Sequence, residues 1–151
     1  MIVRGWDADH LRDSDTYCRL LVHGTEDLII DLAQDSAPEL PALASFAGPT
    51  LAPADLAGRK VLALFGRAAA RDFVDVFALS RRFSKAMLLK LAHEIDAGFS
   101  IRVFVEMIDL LAHRRDVDLF PGNVDVSELR AFFLQWRAEL TCSGQAFGGD
   151  E

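Results

Sequence analysis

Cysteine is scarce in this chain of 151 residues, and long apolar runs are missing. The two cysteines, Cys18 and Cys142, lie far apart and match no metal-binding or redox spacing, so we expect reduced thiols and a cytoplasmic location. No apolar stretch reaches the roughly 18 residues of a membrane-spanning helix. Residues 1–12 contain no apolar segment typical of a secretory signal, and we expect no membrane partner.

The usual catalytic signatures are also missing. The sequence contains no phosphate-binding P-loop, no Rossmann glycine fingerprint and no serine-nucleophile motif. Its four histidines are scattered, and we interpret each as an ordinary surface or core residue. The apolar share of 51% is typical of an ordered globular protein, and the length favours a single domain over residues 1–151.

Charge is unevenly distributed along the chain. The net charge of −7 argues against general nucleic-acid binding. Residues 56–90 nevertheless contain eight basic and two acidic side chains, whereas the remainder contains eight basic and 21 acidic ones. This basic segment either concentrates an anionic ligand or forms a solvated helix face.

Two short apolar segments near the N-terminus predict a β-hairpin. Residues 17–22 and 27–33 are rich in β-branched or bulky side chains, and residues 23–26 between them suit a turn. Asp31 interrupts the second segment after three apolar residues. An acid there lies either at a solvated strand end or in a functional site, because an unpaired buried carboxylate is unfavourable.

The chain then changes from extended to helical. Prolines in residues 36–53 predict an extended connection packed on the body of the protein, and a polar tail over residues 143–151 is expected to fray. Residues 54–142 show helical spacing, so the fold class is α+β, a short antiparallel β-portion (residues 1–35) followed by a bundle of at least four helices. The predicted helices run from Pro53 to near Gly66, from about Ala70 to Arg81, from an N-cap at Ser84 to before Gly98, from Ser100 onward, and from an N-cap at Ser127, with residues 116–126 as a loop.

Charged residues cluster where the first two predicted helices meet. Lys60 and Arg67 are seven apart and share one helix face, and a tight turn would bring them against Asp72 on the next helix. On that helix, Arg71 is spaced to pair with Asp75. The group either binds a phosphate or locks the two helices together by ion pairs.

A known family has the same order of residues. Residues 28–33, 56–67 and 71–79, with their Lys–Arg–Arg-Asp-Phe-x-x-Asp order, resemble the AbiEii/AbiGii toxin nucleotidyltransferases. These enzymes belong to the DNA-polymerase-β-like superfamily and include toxins of type IV toxin–antitoxin systems. The resemblance covers about residues 17–112. It implies transfer of a nucleotide from a nucleoside triphosphate to an RNA or protein acceptor, with Mg²⁺.

The resemblance also implies roles for individual side chains. Asp31 matches the third catalytic carboxylate and a metal ligand, and Lys60 matches the lysine that contacts the triphosphate. Asp72 matches the acidic residue of the Arg-Asp-Phe motif. Arg67 matches the basic residue before that motif. The resemblance thus implies that Asp31, Lys60 and Asp72 are catalytic and that Lys60, Arg67 and Arg71 bind the nucleotide phosphates.

Two elements of the family pattern are not found in the sequence. Family members open with a Gly-Gly-Ser/Thr turn and an Asp-x-Asp strand that binds two divalent metals, whereas the only Gly-Gly pair here is 148–149. Residues 7–9 and 116–118 have Asp-x-Asp spelling, but the former is better interpreted as a polar loop and the latter follows the helices. We therefore expect a nucleotidyltransferase fold truncated at its N-terminus.

Two functions are compatible with this pattern. The chain is inactive alone and gains activity from an upstream partner chain that supplies the two elements, or it is a non-catalytic module for binding or dimerisation. An RNA or nucleotide ligand, an antitoxin and a second copy of the chain are the expected partners.

Overall fold

The computed structural model describes residues 7–46, 48–119 and 124–145. The chain divides into two compact units between Ala37 and Pro38, called here the sheet unit and the helical unit. A three-stranded antiparallel sheet followed by five α-helices confirms the predicted α+β class for the described residues. That residues 1–151 form a single domain stays a prediction.

The sheet unit contains three strands in the order β1-β2-β3. Two of them confirm the predicted hairpin, since aliphatic and β-branched residues favour extended backbone. The interpretation of residues 7–9 as a loop is wrong, because residues 8 and 9 lie in a strand. That strand is mostly polar and exposed and therefore lacks an apolar alternation. The strands are β1 (Ala8–Ser14), β2 (Tyr17–Val22) and β3 (Leu28–Ala33).

A β-bulge interrupts the pairing of β1 with β2. His10 is opposite Leu20 and Arg12 is opposite Arg19, so Leu11 is an extra residue on the β1 side. Side chains alternate between the faces of a strand, and the extra residue resets this alternation. His10 and Asp13, three residues apart, therefore share one face of the sheet.

The helical unit begins with a small β-ribbon that the sequence did not predict. Strands β4 (Leu43–Ser45) and β5 (Gly48–Thr50) pair antiparallel, so the extended connection over residues 36–53 is only partly irregular. Pro49 lies within β5. A two-stranded ribbon has an outer edge on each strand, where proline removes no ladder bond.

Five helices follow, with bounds close to the prediction. Ser84 is the N-cap of the third helix, where its hydroxyl accepts a hydrogen bond from the Met87 amide at 3.2 Å. The cap predicted at Ser127 is wrong: Asp125 accepts from the amides of residues 127 and 128. No described helix combines the length and apolarity needed to cross a membrane. The helices are α1 (Pro53–Arg67), α2 (Ala70–Ser80), α3 (Lys85–Ile95), α4 (Ile101–Asp109) and α5 (Val126–Gln145), with 3-10 turns at Leu110–His113 and Asp116–Leu119.

One apolar core joins these helices. Aromatic rings from α2, α4 and α5 meet there edge to face, with Phe73 and Phe133 centroids 5.2 Å apart and Phe104 and Trp136 centroids 5.3 Å apart. The expected core is confirmed, with Leu91 only partly buried at its margin. Its predicted members are Leu64, Phe73, Phe77, Leu88, Leu91, Phe104 and Ile108.

Helices α1 and α3 cross so closely at Gly58 that no side chain fits. A Cβ at this position would lie 2.5 Å from the Ile95 side chain and 2.8 Å from the Leu91 carbonyl oxygen. The backbone oxygen belongs to a packed helix and has little room to move. Gly58 therefore fixes the distance between α1 and α3.

We expect Gly58→Ala to lower the free energy of unfolding by about 1–3 kcal/mol, because the added methyl overpacks the crossing. The matched control is Gly66→Ala in the same helix, where a Cβ has no neighbour within 4 Å. That substitution should be neutral or stabilising by up to about 1 kcal/mol, since alanine is the better helix former. Urea unfolding measures both, and equal effects of the two substitutions contradict the prediction.

Candidate functional site

A two-residue turn joins α1 to α2 and positions the charged cluster. Ala68 is buried and has left-handed backbone angles (φ 44°, ψ 44°), and its amide donates to the Leu64 carbonyl at 3.0 Å. This arrangement terminates α1. The Ala68 carbonyl accepts a hydrogen bond from the Arg114 guanidinium at 2.8 Å, which ties the turn to the segment after α4.

Asp72 is a fully buried carboxylate at the start of α2. Arg67 donates to both of its oxygens, at 2.9 and 2.8 Å, and the Ala69 amide donates to Oδ2 at 3.0 Å. Burial acts to raise the pKa of Asp72, but the hydrogen bonds from Arg67 and Ala69 outweigh it and hold the pKa below 3.8. Asp72 therefore stays ionised and closes the first turn of α2.

Lys60 makes a second ion pair between the same two helices. Its Nζ donates to Oδ2 of Asp75 at 2.7 Å, and both side chains remain about one-third exposed. The sequence predicted that Lys60 and Arg67 would converge on Asp72, whereas the structure shows two separate pairs, Lys60–Asp75 and Arg67–Asp72. Asp75, which the sequence spacing pairs with Arg71, accepts its hydrogen bond from Lys60 instead.

Arg71 completes the basic face. It is exposed, and its positive charge also acts to lower the pKa of Asp72. Lys60, Arg67 and Arg71 therefore lie around the α1–α2 junction, each in contact with solvent. The arrangement locks two helices by ion pairs and leaves three cations in contact with solvent, so both interpretations of the cluster are compatible with its geometry.

Asp31 belongs to the sheet unit and is already paired there. It lies directly opposite Arg19 in the ladder and accepts hydrogen bonds from Arg19 at 2.6 and 2.8 Å and from the Tyr17 hydroxyl at 2.8 Å. The hydrogen bonds from Arg19, and then the one from Tyr17, lower the pKa of Asp31 to about 2. Its position on the same side as Lys60 stays a prediction, because the two residues belong to different units.

These contacts decide how well Asp31 suits a divalent cation. The Arg19 guanidinium and the Tyr17 hydroxyl donate to the carboxylate oxygens of Asp31. A metal ion could therefore bind Asp31 only by displacing Arg19. Among the described residues, the one cluster of three metal-ligating side chains lies elsewhere in the sheet unit and excludes Asp31. As arranged, the residues around Asp31 do not fit a Mg²⁺ site, which needs several oxygen ligands.

The Asp-x-Asp segments at residues 7–9 and 116–118 contain acids that are engaged by other partners. Asp9 lies 3.1 Å from the His23 ring, and its hydrogen bond, followed by that of Asp27, raises the pKa of His23. Asp116 and Asp118 lie in a 3-10 turn and pair with arginines. Neither segment has the strand-borne carboxylate pair of the family pattern.

Sequence reasoning missed two groups that hold the helical unit together. Asp55 is buried in the first turn of α1 and accepts hydrogen bonds from the amides of Glu39 and Leu40 at 3.2 and 2.8 Å. Arg130 donates to the carbonyls of Leu111 and Arg114. An acid two residues after a proline at a helix start is a usable signal for the first group, whereas the second depends on contacts distant in sequence.

We expect Asp72→Asn to lower the free energy of unfolding by about 2 kcal/mol at neutral pH, because a buried charge-assisted pair and a helix cap are weakened together. The matched control, Asp75→Asn, removes a pair that is about one-third exposed and should cost about 1 kcal/mol or less. Equal losses measured by denaturant unfolding contradict the structural assignment.

The Asp72 effect should depend on pH. The pKa of Asp72 is lowered by folding, so its stabilisation is complete above 3.8 and disappears as the pH falls through the lower folded value. The stability gap between the wild type and Asp72→Asn should therefore narrow in acid. A gap that widens in acid refutes the assignment.

Comparison with known proteins identifies the family. A family model described as nucleotidyl transferase AbiEii toxin, type IV TA system, matches residues 24–141, more than half of the chain. No curated protein and no solved structure gives a significant match. The matched range includes Asp31 and the whole α1–α2 junction, and it confirms the resemblance noted in the sequence. The chain belongs to the AbiEii family of nucleotidyltransferase toxins of type IV toxin–antitoxin systems.

Proposed function

We propose that this chain is a nucleotidyltransferase-like member of its family that binds nucleoside triphosphate but does not transfer nucleotides alone. The observation that carries the proposal is the position of Lys60, Arg67 and Arg71 around one helix junction inside the matched range. Family chemistry would be nucleotide transfer to an RNA or protein acceptor. The family also makes an antitoxin partner and a cytoplasmic setting part of the proposal.

Phosphate binding at the junction would use the exposed cations. Lys60 is a compact point charge on a flexible stem, and its partner Asp75 is about one-third exposed, so a phosphate oxygen can replace it. Arg67 is half exposed but is held at both ends of its guanidinium fork by Asp72. We infer that Lys60 and Arg71 contact phosphate and that Arg67 contributes charge while maintaining the fold.

The proposal that the isolated chain is inactive rests on the carboxylates that it contains. Transfer chemistry of this type needs a set of acidic ligands that holds cations against the triphosphate. Asp31 is bound by Arg19 and Tyr17, and these 151 residues contain no Gly-Gly-Ser/Thr turn with an Asp-x-Asp strand after it. Mg²⁺ therefore remains an implication of the family, and the missing acidic ligands would have to come from outside these 151 residues.

A non-catalytic binding or dimerisation module is the second candidate, and one observation favours it. Strand β3 is an edge of the sheet within the sheet unit, and Leu28, Ile29 and Leu32 on it are each more than half exposed. An exposed apolar edge strand can pair with another chain. A concentration-dependent dimer that is abolished by Ile29→Lys supports this candidate.

We expect the chain to bind nucleoside triphosphate with an affinity that falls as salt is added, because exposed charge contacts are screened within about 8 Å at physiological ionic strength. Lys60→Ala and Arg71→Ala should each weaken binding several-fold in calorimetric titration. Arg102→Ala, which removes an equal charge from an exposed pair on α4, is the control and should bind like the wild type. Equal weakening by all three variants indicates only a net-charge effect and contradicts the proposed site.

We also expect no detectable labelling when the purified chain is incubated with Mg²⁺, labelled triphosphates and RNA. The physical reason is that, among the described residues, Asp31 belongs to no cluster of three metal-ligating side chains. Robust Mg²⁺-dependent labelling that is abolished by Asp31→Ala would falsify this proposal and would mean that Asp31 leaves Arg19 to bind metal. The control variant is Asp109→Ala, which removes an acid from an exposed pair of the helical unit.

A further inference from the structure

Three different metal-ligating side chains meet on one face of the β1–β2 hairpin. The Cys18 Sγ lies 3.8 Å from Nδ1 of His10, and that same Nδ1 lies 3.5 Å from Oδ2 of Asp13. All three donor atoms fall within 4.8 Å of one another. The residues lie before the matched family range, which begins at residue 24.

Two of the three separations are close to those of a tetrahedral zinc site. Zinc–nitrogen and zinc–oxygen bonds of about 2.0–2.2 Å and a zinc–sulfur bond of about 2.3 Å place neighbouring ligand atoms about 3.3–3.6 Å apart. The separations of 3.8 and 3.5 Å approach these values, so a central cation needs only small side-chain adjustments. Imidazole, thiolate and carboxylate together favour Zn²⁺ over Mg²⁺ or Ca²⁺, which prefer oxygen ligands alone.

A catalytic triad is the competing interpretation of cysteine, histidine and aspartate, and the contacts argue against it. In a triad the acid orients one ring nitrogen while the other faces the nucleophile. Here both Cys18 and Asp13 approach the same nitrogen, Nδ1 of His10. One ring nitrogen cannot accept from a thiol and donate to a carboxylate at the same time. A cation between the three groups would bind all three donor atoms, which accounts for the approach of Cys18 and Asp13 to one ring nitrogen.

The backbone holds these three ligands in place. Asp13 and Cys18 are opposite each other in the ladder, and the bulge at Leu11 puts His10 on their face. Without the extra residue, positions 10 and 13 would face opposite sides of the strand. The site is therefore specified by strand register and not by a linear cysteine–histidine spacing, which explains why the sequence interpretation found no metal motif.

The sheet unit has an independent need for such a link. It ends at Ala37, and none of its described residues is buried. A small unit without buried apolar side chains usually needs a disulfide, a metal or association to be stable. Its single cysteine is a free thiol and forms no disulfide.

We propose that His10, Asp13 and Cys18 bind one Zn²⁺ that ties β1 to β2, with solvent at the fourth position. His10 and Asp13 are each more than half exposed, so a cation and a water molecule can enter without opening the sheet. The Cys18 thiol releases its proton to solvent on binding, because the thiolate is the ligand. The three ligands belong to the sheet unit, whereas the proposed phosphate-binding residues belong to the helical unit.

The test uses the full chain and Co²⁺ as a spectroscopic substitute for Zn²⁺. We expect one Co²⁺ per chain, with a thiolate-to-cobalt charge-transfer band that Zn²⁺ abolishes by displacement. Cys18→Ser should lose the band, and His10→Ala should weaken metal affinity by at least about 10-fold. Cys142→Ser and His113→Ala are the matched controls and should retain both.

A second measurement addresses the structural role. Zn²⁺ should slow amide exchange of β1 and β2 in the wild type and leave it unchanged in His10→Ala. The His10 side chain is exposed, so we expect this variant to fold, and circular dichroism checks that it does. No bound Co²⁺ after dialysis overturns the proposal. So does a band that survives in Cys18→Ser or disappears in Cys142→Ser.

Discussion

The buried carboxylate of Asp72 is the group on which the helical unit depends. A fully buried charge is tolerated only when every oxygen is paired, and Arg67 with the Ala69 amide provides that pairing. The pairing fixes the first turn of α2. Since α2 carries Phe73 and Phe77 into the core, the direction of those rings follows from one ionised side chain at the helix start.

The same pair has two roles that oppose each other. A phosphate at the α1–α2 junction would be attracted to Arg67, yet any movement of Arg67 leaves Asp72 buried without its partner. Lys60 and Asp75 are free of this conflict because both are partly solvated. Division of work between a structural arginine and an exchangeable lysine is therefore the arrangement most compatible with a stable fold that also binds anions.

Sequence periodicity predicted most elements, and spatial neighbours account for the rest. Apolar runs gave β2, β3 and the helices, because burial selects for those patterns. Strand β1 was missed since it is polar and exposed, and the partner of Lys60 was missed since helix spacing favours Arg71 beside Asp75 equally well. The sequence also did not predict that His10 lies beside Cys18. A bulge, which the sequence does not reveal, brings these two side chains to one face of the sheet.

Ala68 has a consequence for the entropy of ligand binding. Its left-handed backbone is already fixed by packing, by the Leu64 carbonyl and by Arg114, which lies 46 residues further along the chain. The neighbouring Arg67 therefore extends from backbone that has lost its dihedral freedom on folding. An anion bound beside Arg67, as proposed, would order little additional chain, so more of the contact energy would remain as affinity.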